Sequence, residues 1–292
     1  YYGKNAYSEV PRRTHEPYVF EADEDYTHSA FVAAETCNFI KEHKDERFFA
    51  IAGFYAPHCP VNPPQRFVDM YDPEEMPLPS KGEMEEIAPF LENVSDGEWR
   101  EIVAYYLALV SHVDDCAGQI IDQLEKEGIF EDTIVIFTSD HGEYLGDHGR
   151  IAKGMPGHDC ITRVPFLMSY TEKIDQGIVV NELVEAVDVL PTILDFCGVQ
   201  APSFVQGKSF KRLIIENKDK NKDKNKDKNK DKKGNDKKLT HREDVLTEAF
   251  RPNGEKQTTL RTRGYKYYCD TSGSELLYDL KEADPEELID VF

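Results

Sequence analysis

Asp140 and His141 close the apolar run Thr133-Ile134-Val135-Ile136-Phe137-Thr138-Ser139 and are the residues of this chain best suited to chemistry. Asp140 offers a hard carboxylate oxygen and His141 an imidazole nitrogen. Gly142 lets the backbone turn sharply beside a bound group. Together they suit a divalent cation or an anionic substrate, although Asp, His and Gly also favour a plain strand-terminating turn. Two other places hold candidates. His58 lies in Ala56-Pro57-His58-Cys59-Pro60, where two prolines stiffen an extended loop. Lys153 lies in the glycine-punctuated stretch from Gly146 to Gly154. Taken singly, a loop histidine or lysine is most often structural or solvated.

These side chains need elements to hold them. The β-branched run at 133–137 predicts a buried parallel strand that presents Asp140 and His141 at its carboxyl end, where open α/β sheets keep their sites. Phe48 to Tyr55 predicts a second apolar strand leading into the His58 loop. A helix is expected over Ser29–His43, and a long one capped by Ser95-Asp96 and running to about Glu127. Its His112, Asp114 and Asp115 read as the polar face of a helix rather than a metal cluster. Met70 to Glu92 reads as surface loop with a short helix, and a strand is expected at Val164–Ser169. Helices follow at Val180–Val187 and Leu190–Cys197. After Gly198 and Pro202 the pattern changes to short strands at 245–249, 258–261, 265–269 and 276–278, a small antiparallel sheet, and then a helical turn at Pro285–Ile289.

Composition narrows the classes of function. The chain has 292 residues, 39% of them hydrophobic, and a formal charge of -21. A phosphate backbone requires a basic face, so a nucleic-acid partner is excluded from the expectations. No apolar run approaches a transmembrane length. Six scattered cysteines have neither zinc-site spacing nor the density of a disulfide scaffold. Between Asn217 and Lys238 an Asn-Lys-Asp-Lys repeat carries eleven lysines against five aspartates, so the remainder is more acidic still. Without apolar anchors this tract reads as a disordered, solvated surface insertion.

The ordered series of segments resembles the sulfatase family of the alkaline phosphatase superfamily. Phe48 to Pro60 is similar to the family's strand and His-x-Pro loop, and Tyr105 to Gly142 to its long helix, strand and metal turn. Lys153 matches the family's sulfate-binding lysine. Arg163-Val164-Pro165-Phe166-Leu167, Val187 to Asp195, Gln206 to Phe210 and Glu275 to Leu280 continue the likeness over nearly the whole chain outside the repeat.

The resemblance implies an α/β fold with a largely parallel or mixed central sheet flanked by helices, and a small antiparallel carboxyl-terminal subdomain. Residues 1–200 would belong to the catalytic domain and 201–292 to the subdomain, with the insertion at 217–238. It implies that Asp140 and His141 ligate Ca2+, that His58 contacts the sulfate ester near its leaving oxygen, and that Lys153 neutralises charge on sulfate oxygens. His158, next to Asp159, is expected to line the substrate pocket. The family's nucleophile is a formylglycine made within Cys/Ser-x-Pro-x-Arg, and none of the six cysteines has that context. The chain is therefore expected to be the carboxyl-terminal portion of a longer enzyme, with the remaining metal ligands upstream. The implied activity is sulfuric ester hydrolysis, on an oligosaccharide or small-molecule sulfate, in an extracytoplasmic setting. A phosphodiesterase or phosphonate monoester hydrolase of the same superfamily, and an inactive binding homologue, are the alternatives.

Overall fold

The computed structural model describes residues 16–82, 87, 91–222, 240–281 and 286–291, without side chains for 217–222. The chain divides into two compact units: residues 1–131 with 143–152, and residues 132–142 with 153–292.

The first unit is built on two helices, α1 (His28–His43) and α3 (Asp96–Lys126), which pack on one another. Both begin at capped ends. Thr27 accepts the Ala30 N–H at 3.1 Å. Ser95 and Glu98 form a reciprocal capping box, so two otherwise orphaned N–H groups are satisfied. Ala33, Ile40, Ala108 and Cys116 are buried in this unit. His112 is buried too, its ring 4.9 Å from that of Phe67 in the short helix α2 (Gln65–Val68). It is thus packed rather than presented on a polar face, and burial pushes its imidazole below the ordinary value.

Phe48 to Tyr55 departs from expectation. The segment forms no strand among the described residues, and Phe49 and Ile51 are 73% and 81% exposed. An apolar β-branched pattern prepares a strand, but only a hydrogen-bonded neighbour completes one.

In the second unit, β1 (Val135–Thr138) pairs with β2 (Phe166–Ser169). The pairing is antiparallel, with Val135 opposite Ser169 and Thr138 opposite Phe166, where a parallel strand was expected. Period and composition report burial, whereas direction depends on which strand lies alongside. The core gathers Tyr170, Phe196, Phe210, Leu213 and Ile214, with Ile134, Phe166 and Met168 packed against it. The helix expected at 180–187 is absent apart from a short 3-10 turn at Ala186–Asp188. Val180 and Val184 pack on the core from irregular chain. Helix α5 (Val189–Phe196) follows as expected.

Between them, α4 (Asp159–Thr162) is a single turn. Helix α6 (Lys211–Lys222) was not anticipated: it runs six residues into the repeat tract read as disordered, and 223–239 lie outside the described residues. Leu213 and Ile214, buried in the core, anchor its first turns. The four expected short strands appear as a meander of β3 (Asp244–Phe250), β4 (Lys256–Thr262), β5 (Tyr265–Asp270) and β6 (Glu275–Asp279), in that spatial order and all antiparallel. The terminal helical turn does not form at 286–291, and 282–285 lie outside the described residues. Glu287 instead takes a φ of +61° and buries its side chain.

Candidate active site

The strand end is shaped by its own short side chains. Ser139 Oγ donates to the His141 carbonyl at 2.8 Å, and the His141 N–H donates to Asp140 Oδ1 at 2.9 Å. Gly142 then meets a neighbouring segment: its N–H donates to the Ile161 carbonyl at 2.7 Å. A Cβ at position 142 would lie 1.9 Å from the Cys160 carbonyl oxygen, so only glycine fits.

His141 Nδ1 lies 2.8 Å from the Gly142 carbonyl oxygen, which can only accept. Nδ1 therefore carries the proton, and in the neutral ring Nε2 presents a lone pair. Lys153 Nζ is 2.9 Å from that Nε2. Asp140 Oδ2 is 3.5 Å from it, on a side chain 84% exposed. Slight burial would raise the Asp140 carboxyl, but the His141 N–H, the neighbouring imidazole and Ser139 together hold it below its ordinary value.

These residues fit part of a divalent cation site. A hard carboxylate with free lone pairs stands beside an imidazole whose tautomer is fixed by a backbone carbonyl, the usual support for a metal-bound histidine. Two ligands of one cation at about 2.0–2.6 Å each are compatible with such a spacing. Lys153 directs its ammonium at the Nε2 lone pair.

The structure thus brings Asp140, His141 and Lys153 together. His58 belongs to the first unit, where it is exposed. Its Nδ1 lies 2.8 Å from the Cys59 carbonyl, which accepts its proton and leaves Nε2 open, and its ring centroid is 4.8 Å from that of Tyr55. His158, expected to line the substrate pocket, is only 1% exposed; its Nε2 is 3.2 Å from the Tyr278 hydroxyl oxygen on β6. That histidine is part of the packing of the second unit.

The neighbouring Asp159 revealed what sequence reasoning missed. Arg261 grips its carboxylate with Nε at 3.0 Å and Nη2 at 2.9 Å, and the buried Lys266 ammonium is 2.8 Å away. The same ammonium is paired with Glu287 Oε1 at 2.5 Å, a contact that lacks hydrogen-bond alignment. One signal was available. In Tyr265-Lys266-Tyr267-Tyr268, Lys266 shares the inward period-2 positions with Tyr268, a pattern that places a lysine in the core.

Comparison with known proteins bears on the family and the fold. The sulfatase family matches residues 1–199. The chain belongs to the sulfatase family. The carboxyl-terminal family of N-sulphoglucosamine sulphohydrolase matches residues 146–292. An arylsulfatase of Clostridium perfringens is 31% identical over 200 residues, covering 64% of this chain and 41% of its own length. An N-acetylglucosamine-6-O-sulfatase of Bacteroides thetaiotaomicron is 32% identical over 198 residues, covering 67% of this chain and 33% of its own. The sulfatase chain described here therefore spans less than half the length of these relatives. Its fold is that of the phosphonate monoester hydrolase of Silicibacter pomeroyi, with a TM-score of 0.80 over 100% of this chain and 62% of that one, at 22% identity. No described helix is long and apolar enough to cross a membrane.

Proposed function

We propose that this chain forms the carboxyl-terminal part of a sulfuric ester hydrolase acting on a sulfated carbohydrate in an extracytoplasmic setting. Residues 1–200 would belong to the catalytic domain and 201–292 to a small subdomain. The observation that carries the reading is the contact of Lys153 with His141 beside the outward Asp140, in a chain of this family. The sugar-sulfatase relative supports a carbohydrate substrate.

Sulfuryl transfer spreads negative charge over the peripheral oxygens and the leaving oxygen, so fixed cations stabilise it. Asp140 and His141 would hold Ca2+, which when bound supplies a hard positive charge for the sulfate oxygens. Lys153, next to that position, would hold its ammonium against a peripheral sulfate oxygen. His58, its Nδ1 proton fixed on the Cys59 carbonyl, would present Nε2 to the leaving oxygen and in protonated form donate to it. The nucleophile of this reading is a formylglycine that the 292 residues do not hold.

The test is turnover by the full-length enzyme of an aryl sulfate, a sulfated amino sugar and a phosphate diester, each with wild type and Lys153→Ala. Sulfate release that falls by about 10²–10³ in kcat in the variant, with the fold retained, supports the reading. Preference for the phosphate diester would shift it to a phosphodiesterase or phosphonate hydrolase, and absence of turnover on all three to a binding homologue.

A further inference from the structure

The strand-end turn is held from outside its own sequence, by residues that reach it through one intermediate segment. Gly142 is fixed by the Ile161 carbonyl and sits directly against Cys160. That segment, residues 156–161, is in turn fixed on its far side by the four-stranded sheet and the chain end. Thr259 donates to the Pro156 carbonyl, and Lys266 Nζ donates to the Gly157 carbonyl at 3.1 Å. The Asp159 N–H donates to Glu287 Oε2 at 2.7 Å, and the Asp159 carboxylate is clasped by Arg261 and Lys266.

In this cluster of two cations and two carboxylates Lys266 and Glu287 are buried and Arg261 and Asp159 partly so, which is a costly way to stabilise a fold. Desolvation removes much of the Coulombic gain, and an apolar replacement of the same volume does as well or better. Such a cluster is better suited to fixing direction: each partner accepts one geometry, and Arg261 grips in two places. Here the direction fixed is that of a segment that touches Gly142, which closes the Asp140-His141 turn and has no room for a side chain.

We infer that the cluster of Asp159, Arg261, Lys266 and Glu287 positions the Asp140-His141-Gly142 turn, acting through residues 156–161. None of the four is a catalytic residue; they are positioning residues. The consequence for turnover rests on the proposed sulfatase reading, whereas the mechanical link to Gly142 does not.

The experiment is hydrogen–deuterium exchange on the full-length protein, read on peptides covering 139–145 and 189–196, for wild type, Asp159→Asn and Arg261→Ala. Asp159→Asn conserves volume, and Arg261→Ala removes a side chain 22% exposed and so keeps the fold if the first variant loses it. The expected result is exchange at 139–145 accelerated about tenfold or more, with α5 unchanged in protection. In parallel, kcat falls about tenfold at constant KM on whichever substrate the wild type turns over. Unchanged exchange at 139–145 overturns the inference. So does a uniform loss of protection at both peptides, which would make the cluster a general support of the fold. Wild type without any turnover, together with selective acceleration at 139–145, would sink the sulfatase reading and leave the positional link standing.

Discussion

Asp140 and Asp159 lie in one unit of this molecule and are used in opposite ways. Asp140 is 84% exposed and keeps one carboxylate oxygen open, its other oxygen taking the His141 N–H at 2.9 Å and lying 3.4 Å from Ser139 Oγ. Asp159 is engaged at both oxygens: Arg261 binds each of them and Lys266 one. A carboxylate meant to receive a ligand must leave lone pairs unspent, whereas one meant to fix chain direction must have none to spare. The same contrast applies to the lysines. Lys153 reaches from a loop to the imidazole of a candidate ligand, and Lys266 is enclosed between two carboxylates.

The largest test of this contrast is Lys266→Ala. It leaves Asp159 and Glu287 without their shared cation in the interior, and breaking one side of a buried pair costs about 3–5 kcal/mol. Urea denaturation of the full-length protein should show it, and a loss under ~1 kcal/mol would mean that the cluster is hydrated and weakly coupled.

Acid sensitivity is the next largest. Asp159 is held well below the usual carboxylate range, burial opposing and Arg261 with Lys266 prevailing. Asp188 behaves alike: burial opposes, while Arg242 at 2.6 and 2.8 Å, the Lys208 and Glu185 N–H groups and His241 prevail. A depressed folded value contributes stability above the unfolded value of about 3.9, and that contribution is lost as pH falls toward the folded value. Glu287 has the opposite sign. Burial raises it against the pull of Lys266, so its contribution is present below about 4.3 and lost as pH rises through the raised value. Two aspartates outweigh one glutamate, and the urea midpoint should fall below about pH 4. Asp188→Asn should flatten that fall; if Asp140→Asn flattens it as much, the distinction between the two kinds of carboxylate fails.

The smallest expected change in stability is that of Asp140→Ala, within about 0.5 kcal/mol of wild type for so exposed a side chain. Its effect belongs elsewhere. Calorimetric titration of the full-length protein with Ca2+ should show binding by wild type and none by the variant, and retention would remove Asp140 from the ligand set.

Much of this was legible along the chain because the signals are local. Ser95 and Glu98 are three residues apart and cap a helix that begins at Asp96. Alternating side chains separated by turns marked all four strands of the carboxyl-terminal sheet. An apolar run ending in Ser-Asp-His-Gly marked the turn that joins Asp140 to His141, and the ordered motifs were sufficient to indicate the sulfatase family.

Where the sequence failed, the missing quantity was a partner far along the chain. Phe48 to Tyr55 has the composition of a strand, yet among the described residues it pairs with no strand. The direction of β1 depended on β2, and the buried state of His158 depended on Tyr278, 120 residues away. The partners of Lys266 are equally distant: Asp159 lies 107 residues earlier and Glu287 beyond the last strand. By itself the sequence determined which residues could turn, cap, alternate or ligate, because those properties reside in a few consecutive side chains. Only the tertiary structure decided which carboxylate stays open and which is spent, because desolvation and charge pairing depend on what the rest of the chain brings alongside.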